Sequence, residues 1–206
     1  QQLGLQAGRR TVLVFRGSQG ARFINGLISE SQALLHDVAD RVQFIHLTGS
    51  DDNSDVIAAY AAAGIAASHV VGATSGDPNK DGLQDLLVFS SAGVELYLND
   101  GNFRFHRDEA FAARFARLGG TTGQLADVDN DGDLDIVIAD GRRNGSRGPV
   151  LLLNRGQGEF VDAAEADPRL MLAAVEIRGD AGCLVADFTG DGRCDLLLLP
   201  VGESPM

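Results

Sequence analysis

The chain has 206 residues, of which 44% are hydrophobic and 22% are charged, a balance typical of folded proteins. Its formal net charge of −12 argues against binding to nucleic acid or to an anionic membrane surface, because both carry negative charge. The sequence contains no apolar run long enough to span a bilayer, and no signal-peptide pattern opens it.

The first seventy residues alternate between strand and helix patterns. Residues 11–15 and 42–47 are apolar runs that predict buried strands. Residues 21–35 predict a helix, and a second helix ends near Gly64. The first helix has its apolar side chains near one face, at Ile24, Leu27, Ile28, Leu34 and Leu35. This order predicts a β-α-β-α segment with a two-stranded parallel sheet, which cannot cover its own faces.

A glycine loop joins the first strand to the first helix. Its residues are Gly17, Ser18, Gln19 and Gly20. Such a loop presents backbone N–H groups and the positive end of the helix dipole to an anion, commonly a phosphate. A turn that only connects strand and helix is the alternative interpretation.

Residues 11–22, followed by residues 45–49 and 59–64, resemble the start of the donor-binding domain of the bacterial peptidoglycan N-acetylglucosaminyltransferases. That family consists of two-domain GT-B enzymes that use UDP-N-acetylglucosamine. The resemblance implies that the loop from Gly17 to Gly20 lies against the donor nucleotide. Arg16 stands where the family has its first glycine, and the resemblance ends at residues 64–69, before the family's ribose-binding segment. We therefore do not expect a complete transferase active site in this chain.

Three acidic loops of nine residues recur with the same spacing later in the chain. The middle loop, residues 127–135, has five carboxylates, which repel one another unless a cation lies among them. Oxygen ligands at alternate positions of a tight loop, with glycine at its sixth position, suit calcium. The candidate ligands are Asp77, Asn79, Asp81, the Leu83 carbonyl and Asp85; Asp127, Asp129, Asp131, the Asp133 carbonyl and Asp135; and Asp187, Thr189, Asp191, the Arg193 carbonyl and Asp195.

These loops predict up to three calcium ions. The middle loop has the most carboxylate ligands and should bind calcium most tightly, whereas Lys80 and Arg193 should weaken the other two. An acidic surface turn is the alternative interpretation of each loop. An EF-hand is excluded, because its twelfth loop position needs an acidic residue and the residues there are Val88, Ile138 and Leu198.

Each loop lies between two short apolar runs that predict strands. The strand after the loop is followed by another apolar strand, which ends in an asparagine with a glycine and a phenylalanine after it. This pattern occurs in residues 94–103 and again in residues 150–160. This pattern resembles the FG-GAP or VCBS repeat of integrin-alpha-type β-propellers. The resemblance covers residues 70–206 and implies a calcium-stiffened β-propeller blade for each unit. The sequence contains about two full units and part of a third, fewer than the four to eight blades of a closed propeller.

The two patterns meet near residues 63–71 with no proline- or serine-rich linker between them. We predict a mixed fold: an α/β segment over residues 1–69, and incomplete all-β propeller repeats over residues 70–206. A fusion or fragment of two families is our hypothesis for this join. The families imply opposed compartments, the cytoplasmic membrane face for the transferase and the extracellular space or cell envelope for the calcium repeats.

For several other residues the sequence predicts structural roles only. Cys183 and Cys194 should be free thiols, because hairpin register places Cys183 nearer Leu198 than Cys194. Residues 104–107 and 142–143, which are rich in arginine, predict solvated surface. Phe111 and Phe115 are spaced as on a helix that packs between units.

The sequence contains no defensible catalytic pattern of the Ser/His/Asp or Cys/His kind. The leading functional prediction is a non-catalytic, calcium-binding structural or adhesion-type module with an unknown protein or carbohydrate partner. The alternative is UDP-N-acetylglucosamine binding or glycosyl transfer by the first segment.

Overall fold

The computed structural model describes residues 5–6, 8–14, 21–48, 54–70, 72–90, 93–115, 117–143, 146–166 and 181–200. Strands outnumber helices, and most of the strands lie in antiparallel sheets. The strands are β1 Arg10–Val14, β2 Val42–Leu47, β3 Ala67–Val70, β4 Gly72–Gly76, β5 Asp85–Ser90, β6 Gly93–Asn99, β7 Phe105–Arg107, β8 Gly123–Ala126, β9 Asp135–Arg143, β10 Ser146–Asn154, β11 Phe160–Asp162, β12 Ala181–Ala186 and β13 Asp195–Pro200. The helices are α1 Ala21–Glu30, α2 Gln32–His36, α3 Ser54–Ala62, α4 Glu109–Phe115 and α5 Ala163–Ala166.

The N-terminal part is a three-stranded parallel sheet in the order β1-β2-β3, with α1, α2 and α3 in the connections. Phe44 of β2 and Tyr60 of α3 pack together with ring centroids 5.2 Å apart. His46 is buried, and its Nδ1 lies 3.2 Å from the hydroxyl of Tyr60, so it has the structural role expected of a satisfied histidine. The helix α3 ends before Gly64, whose φ of 67° is easy only for glycine.

Two N-terminal predictions were wrong. The predicted helix over residues 21–35 is broken at Ser31 into α1 and α2, and Leu27 and Leu34, which were predicted near one apolar face, are both exposed. The sheet also has a third strand, β3, that the two-strand prediction lacked. The sequence Ala67–Val70 is too short and too polar in its middle for its strand to be recognised from periodicity.

The remaining strands form three antiparallel sheets in chain order. Unit one is the meander β4-β5-β6-β7, unit two is the meander β8-β9-β10-β11, and unit three is the hairpin β12-β13. In each unit the last aspartate of an acidic loop starts the second strand, and an aliphatic run follows it. Because side chains alternate along a strand, this run supplies apolar residues to both faces of the sheet.

The units stack on one another through these two faces. We call the face with Leu86 and Val88 the rear face of unit one, and the face with Leu87 and Phe89 its front face. In unit two, the rear face carries Ile136 and Ile138 and the front face carries Val137 and Ala139. In unit three, the rear face carries Leu196 and Leu198 and the front face carries Leu197 and Leu199. The front face of unit one packs on the rear face of unit two, and that of unit two on the rear face of unit three.

The N-terminal sheet packs on the rear face of unit one. Ile45, Leu13 and Leu47 share a buried apolar cluster with Leu86 and Val88. The backbone N–H of Thr11 also donates a hydrogen bond of 2.8 Å to the carbonyl of Phe103. We predicted that this sheet could not cover its own faces, but unit one covers one of them. A sequence pattern gives each strand's apolar face but not which other sheet covers it.

The packing between units one and two includes α4. Phe111 and Phe115 are buried in the cluster shared by these units, as their helical spacing predicted. Arg107 was predicted to lie on solvated surface, but it is largely buried and its Nε donates a hydrogen bond of 2.8 Å to the buried carboxylate of Glu95. Cys183 is paired in register with Leu198, and both cysteines are free thiols, as predicted. Within the described residues, no helix is long and apolar enough to cross a membrane.

Candidate metal centre

The three acidic loops occupy equivalent places, each between the first and second strands of its unit. Loop one is residues 77–85, loop two is residues 127–135, and loop three is residues 187–195. Their backbones share one conformation. The fourth and sixth residues of every loop have positive φ, between 58° and 88°, at Lys80 and Gly82, at Asn130 and Gly132, and at Gly190 and Gly192. A non-glycine residue in this region costs about 1–2 kcal/mol, so the loops hold Lys80 and Asn130 in place against that cost.

The first carboxylate of each loop fixes this backbone conformation. Asp127 accepts hydrogen bonds from the backbone N–H groups of Asp131, at 3.1 Å, and Gly132, at 3.0 Å. Asp77 and Asp187 make the same pair of bonds in loops one and three. The bonds from Gly192 and its neighbours lower the pKa of Asp187, because they stabilise the ionised form. In loop three these bonds therefore favour the ionised form of the first carboxylate.

The last carboxylate is buried in loops one and two. Asp85 and Asp135 have no exposed surface, and burial raises the pKa of each to about 6. Oδ1 of Asp85 accepts the backbone N–H of Asn99, and Oδ1 of Asp135 accepts that of Asn154, both at 2.8 Å. A buried carboxylate with one or two N–H partners is still undercompensated, which favours a cation close to it.

Asn99 and Asn154 are site residues that the sequence analysis did not assign. Each is the asparagine of the Asn-Gly pattern after the third strand of a unit, which was the available signal. The side-chain Nδ2 of Asn154 donates to the carbonyls of Pro78, at 2.8 Å, and Leu134, at 3.1 Å. This one side chain therefore joins loop two of its own unit to loop one of the preceding unit.

Loop two brings three of its predicted ligands together. Asp127, Asp129 and Asp135 each offer a carboxylate oxygen, and the three oxygens lie within 4.8 Å of one another. Burial, and then the charge of Asp131, raise the pKa of Asp129. A cluster of carboxylate oxygens at this spacing fits a hard divalent cation such as calcium.

The other two predicted residues of loop two have protein partners. Oδ1 of Asp131 accepts the backbone N–H of Asp133, at 2.9 Å. The carboxylate of Asp133 forms an ion pair of 2.8 Å with Lys80. Lys80 belongs to loop one, where it was expected to weaken calcium binding, but its charge lies beside loop two. The sequence could not show this, because the contact depends on how two units stack.

Loops one and three share the backbone conformation of loop two, and their predicted ligands form hydrogen bonds within it. In loop one, Asn79 donates its Nδ2 to Asp81 at 3.0 Å, and Asp81 accepts the N–H of Leu83 at 2.8 Å. In loop three, Asp191 accepts the N–H of Arg193 at 2.9 Å, and Asp195 accepts that of Thr189 at 3.1 Å. One buried carboxylate oxygen in loop one, Oδ2 of Asp85, has no hydrogen-bond partner among the described residues. An orphaned buried oxygen also fits a bound cation.

Neighbouring loops are in direct contact. Nδ2 of Asn130 in loop two donates to the carbonyl of Gly192 in loop three, at 2.9 Å. Sγ of Cys194 in loop three donates to the carbonyl of Asp127 in loop two, at 3.1 Å. The three loops therefore form one continuous row across the stacked units.

The predicted nucleotide loop, Gly17, Ser18, Gln19 and Gly20, lies outside the described residues. A cleft of about 920 Å³ is lined by residues of both the N-terminal sheet and unit one, beside their contact. Its walls are largely apolar, with Val12, Leu47, Leu86 and Phe105 among them, and Arg10 also contributes. Arg10 is the one charged side chain among the described residues that line the cleft, and Thr11, Thr74, Ser75, Gln84 and Asn99 add polar groups.

Comparison with known proteins shows which family the repeats belong to. A family model described as FG-GAP-like repeat matches residues 77–138 and again residues 127–198, which together make up more than half of the chain. The chain belongs to the family of FG-GAP-like repeat proteins. It is also similar to integrin alpha-4 of Xenopus laevis, with 34% identity over 93 residues.

The N-terminal segment is similar to a different family. The model of the glycosyltransferase family 28 C-terminal domain matches residues 11–72. The chain is 44% identical over 59 residues to the UDP-N-acetylglucosamine--N-acetylmuramyl-(pentapeptide) pyrophosphoryl-undecaprenol N-acetylglucosamine transferase of Geobacter metallireducens. It is also 44% identical over 62 residues to the transferase of the same name from Myxococcus xanthus. Both suspected resemblances are therefore confirmed, and one chain joins pieces of two families.

These matches cover small parts of the relatives. The transferase matches include 29% and 30% of this chain but only 16% of each transferase. The integrin match includes 38% of this chain and 9% of the integrin.

Proposed function

We propose that this chain is a non-catalytic, calcium-binding repeat module of structural or adhesion type, joined to a truncated glycosyltransferase segment. The observation that carries this proposal is the convergence of Asp127, Asp129 and Asp135 in a loop whose backbone frame recurs in two other loops. One calcium ion per loop, up to three in all, is the stoichiometry that the repeat supports.

Calcium would act on stability and stiffness. It would be held by the carboxylates of each loop and would neutralise charges that burial otherwise makes costly, at Asp85 and Asp135 above all. Because both residues start a central strand, a cation there would fix the entry of that strand into its sheet. The row of contacts between loops would then carry this stiffening from unit to unit.

A stiff stack of sheets is a scaffold for binding through its exposed loops. The similarity to an integrin supports an adhesion-type role, with a protein or carbohydrate partner outside the cell or in the cell envelope. Calcium at millimolar concentration in that setting fills even weak loops of this type.

Thermal unfolding of the purified chain in chelator and in millimolar calcium tests the proposal. At a calcium concentration of about one hundred times the dissociation constant, each site adds about 2.7 kcal/mol to the free energy of unfolding. We expect a cooperative transition whose midpoint rises by several degrees. Equal midpoints in the two buffers, with no heat of calcium binding by calorimetry, would refute calcium binding.

A pair of matched variants assigns the effect to loop two. Asp129→Asn removes one converging charge while keeping an oxygen that can accept the N–H of Asp131. Asp100→Asn removes an exposed carboxylate that lies outside the loops and pairs with His106. The first variant should lose calcium affinity at one site, and the second should bind like the unchanged chain.

The second candidate function is binding of UDP-N-acetylglucosamine by the N-terminal segment. It is supported by the match of residues 11–72 to a glycosyltransferase domain and by the parallel strands, whose carboxyl ends are where nucleotides bind in such sheets. This function would belong at the cytoplasmic face of the membrane. Equilibrium dialysis of the whole chain with UDP-N-acetylglucosamine tests it, and retention of the ligand independent of calcium is the expected result.

A further inference from the structure

The last carboxylate of the acidic loops is held in two different ways. In loop two, Oδ2 of Asp135 accepts the backbone N–H of Val128, at 2.9 Å. In loop three, Oδ2 of Asp195 accepts the backbone N–H of Phe188, at 3.0 Å. Val128 and Phe188 are the second residues of their loops. In both loops the second residue thus donates its N–H to Oδ2 of the last carboxylate, and in loop two this is the oxygen that Asn154 does not bind.

Loop one lacks this hydrogen bond because its second residue is Pro78. Proline has no backbone N–H. Oδ2 of Asp85 is consequently buried with no hydrogen-bond partner among the described residues, although Oδ1 is bound to the N–H of Asn99. A native protein retains such an orphaned oxygen when something else satisfies it.

The surroundings of Asp85 indicate what that partner is. The acidic groups near it are Asp77 and Asp81 of its own loop, and the basic group near it is His106. His106 is engaged elsewhere, with its Nδ1 2.9 Å from Asp100. Pro78 is held in position, because its carbonyl accepts a hydrogen bond from Asn154. The orphaned oxygen thus lies in an acidic loop whose second residue is fixed and cannot donate to it.

We propose that Pro78 makes Asp85 the dominant cation ligand of loop one, by leaving a buried carboxylate oxygen free for a hard divalent cation such as calcium. Loop one then binds calcium more tightly than its three carboxylates predict. In loops two and three, the equivalent oxygen shares its lone pairs with an N–H group, which reduces what it can give to a cation. This inference rests on the proposed calcium-binding function.

The test measures calcium binding at each of the three loops separately, in the whole chain. The backbone amides of Gly82, Gly132 and Gly192 report loops one, two and three in a calcium titration observed by ¹⁵N-labelled NMR. Pro78→Ala supplies the missing N–H, and we expect it to weaken calcium binding at loop one by about tenfold, the equivalent of one charge-assisted hydrogen bond. Val128→Ala is the matched control, since alanine keeps the N–H that bonds to Asp135.

A double-mutant cycle separates this effect from general loosening of the loop. When Asp85 is changed to asparagine, the additional Pro78→Ala substitution should leave the calcium affinity of loop one unchanged. If Pro78→Ala lowered the calcium affinity of loop one equally in the unchanged chain and in Asp85→Asn, the proposal would be overturned, because the proline would then act through backbone rigidity. An unchanged Gly82 titration in Pro78→Ala would also overturn it, while a normal Gly132 titration kept the proposed function intact. If none of the three amides responded to calcium, the proposed function and this inference would both be wrong.

Discussion

Nζ of Lys80 lies 2.8 Å from Oδ1 of Asp133, so a lysine of loop one forms an ion pair with loop two of the next unit. Lys80 is the only lysine in the sequence. Its hydrogen bond to Asp133, together with the charges of Asp131 and Asp127, raises the pKa of its ammonium group. A positive charge is thus held beside the carboxylates that converge in loop two.

We expect Lys80→Met to raise the calcium affinity of loop two by about two- to fivefold, the effect of one partly exposed charge. The increase should shrink in high salt, since exposed charges are screened. The Gly132 amide in a calcium titration measures it. Lys80→Arg, which keeps the charge on the same backbone, should leave the affinity unchanged, and a gain of equal size in both variants would contradict the electrostatic explanation.

Asn154 and Asn99 occupy equivalent positions but differ in their bonds. Asn154 is fully buried, and its side chain bonds to the carbonyls of Pro78 and Leu134 and to the N–H groups of Gly156 and Gly158. Since truncation orphans several buried groups, Asn154→Ala should lower the free energy of unfolding by about 3 kcal/mol. Asn99→Ala should cost about 1 kcal/mol, because its side chain bonds only to Gln84 and Gly101 among the contacts described. Urea unfolding measures both, and equal losses would refute the bridging role of Asn154.

The buried carboxylates predict a specific pH dependence. The pKa values of Asp85 and Asp135, about 6 in the folded chain, lie above those of an unfolded chain, about 4. In calcium-depleted buffer the folded state therefore binds more protons over this interval. The contribution of these groups to stability should fall as pH rises from about 4 to about 6, and stay constant above that.

Calcium should reverse this trend, because it requires the ionised carboxylates. The rise in unfolding midpoint caused by calcium should be small at pH about 5 and large at pH about 7.5. Melting curves at these two pH values, with and without calcium, measure it. Asp135→Asn should reduce the pH dependence, and a calcium effect independent of pH would contradict the assignment of these two carboxylates.

Gly123 of β8 lies where no side chain fits. A Cβ there would meet the carbonyl oxygen of Val137 and lie 2.7 Å from the ring of Phe89, which belongs to the neighbouring unit. Gly123→Ala should therefore lower the free energy of unfolding by about 2 kcal/mol or more. Gly182→Ala in β12 is the control, because the nearest atom to its Cβ is 3.8 Å away. Similar urea midpoints for the two variants would show that the contact between units one and two is not closely packed.

The repeated loops could be predicted because their chemistry is local. Spacing, the sixth-position glycine and the aliphatic run after Asp85, Asp135 or Asp195 are all read within nine to fourteen residues. The role of Pro78 required the comparison of three folded loops, although the missing N–H is evident from the sequence once the bond to Asp135 is known. The partner of Lys80 depends on how units one and two stack, and the burial of Ile45 depends on how the N-terminal sheet packs on unit one. No local sequence pattern encodes either contact.

The N-terminal α/β segment and the repeat units are in direct contact, because Ile45 and Leu86 lie in one apolar cluster. Their sequence patterns did not predict this contact. In the interior of the stack each rear face receives the front face of a neighbouring unit. The rear face of unit one receives the parallel sheet instead, so the array is one-ended: a further unit can add only beyond Leu197 and Leu199, whose side chains are 43% and 46% exposed. Ring closure would need the front face of a last unit to reach Leu86 and Val88, and the parallel sheet blocks that approach. The transferase-like segment thus occupies the place that a capping repeat takes in linear repeat proteins.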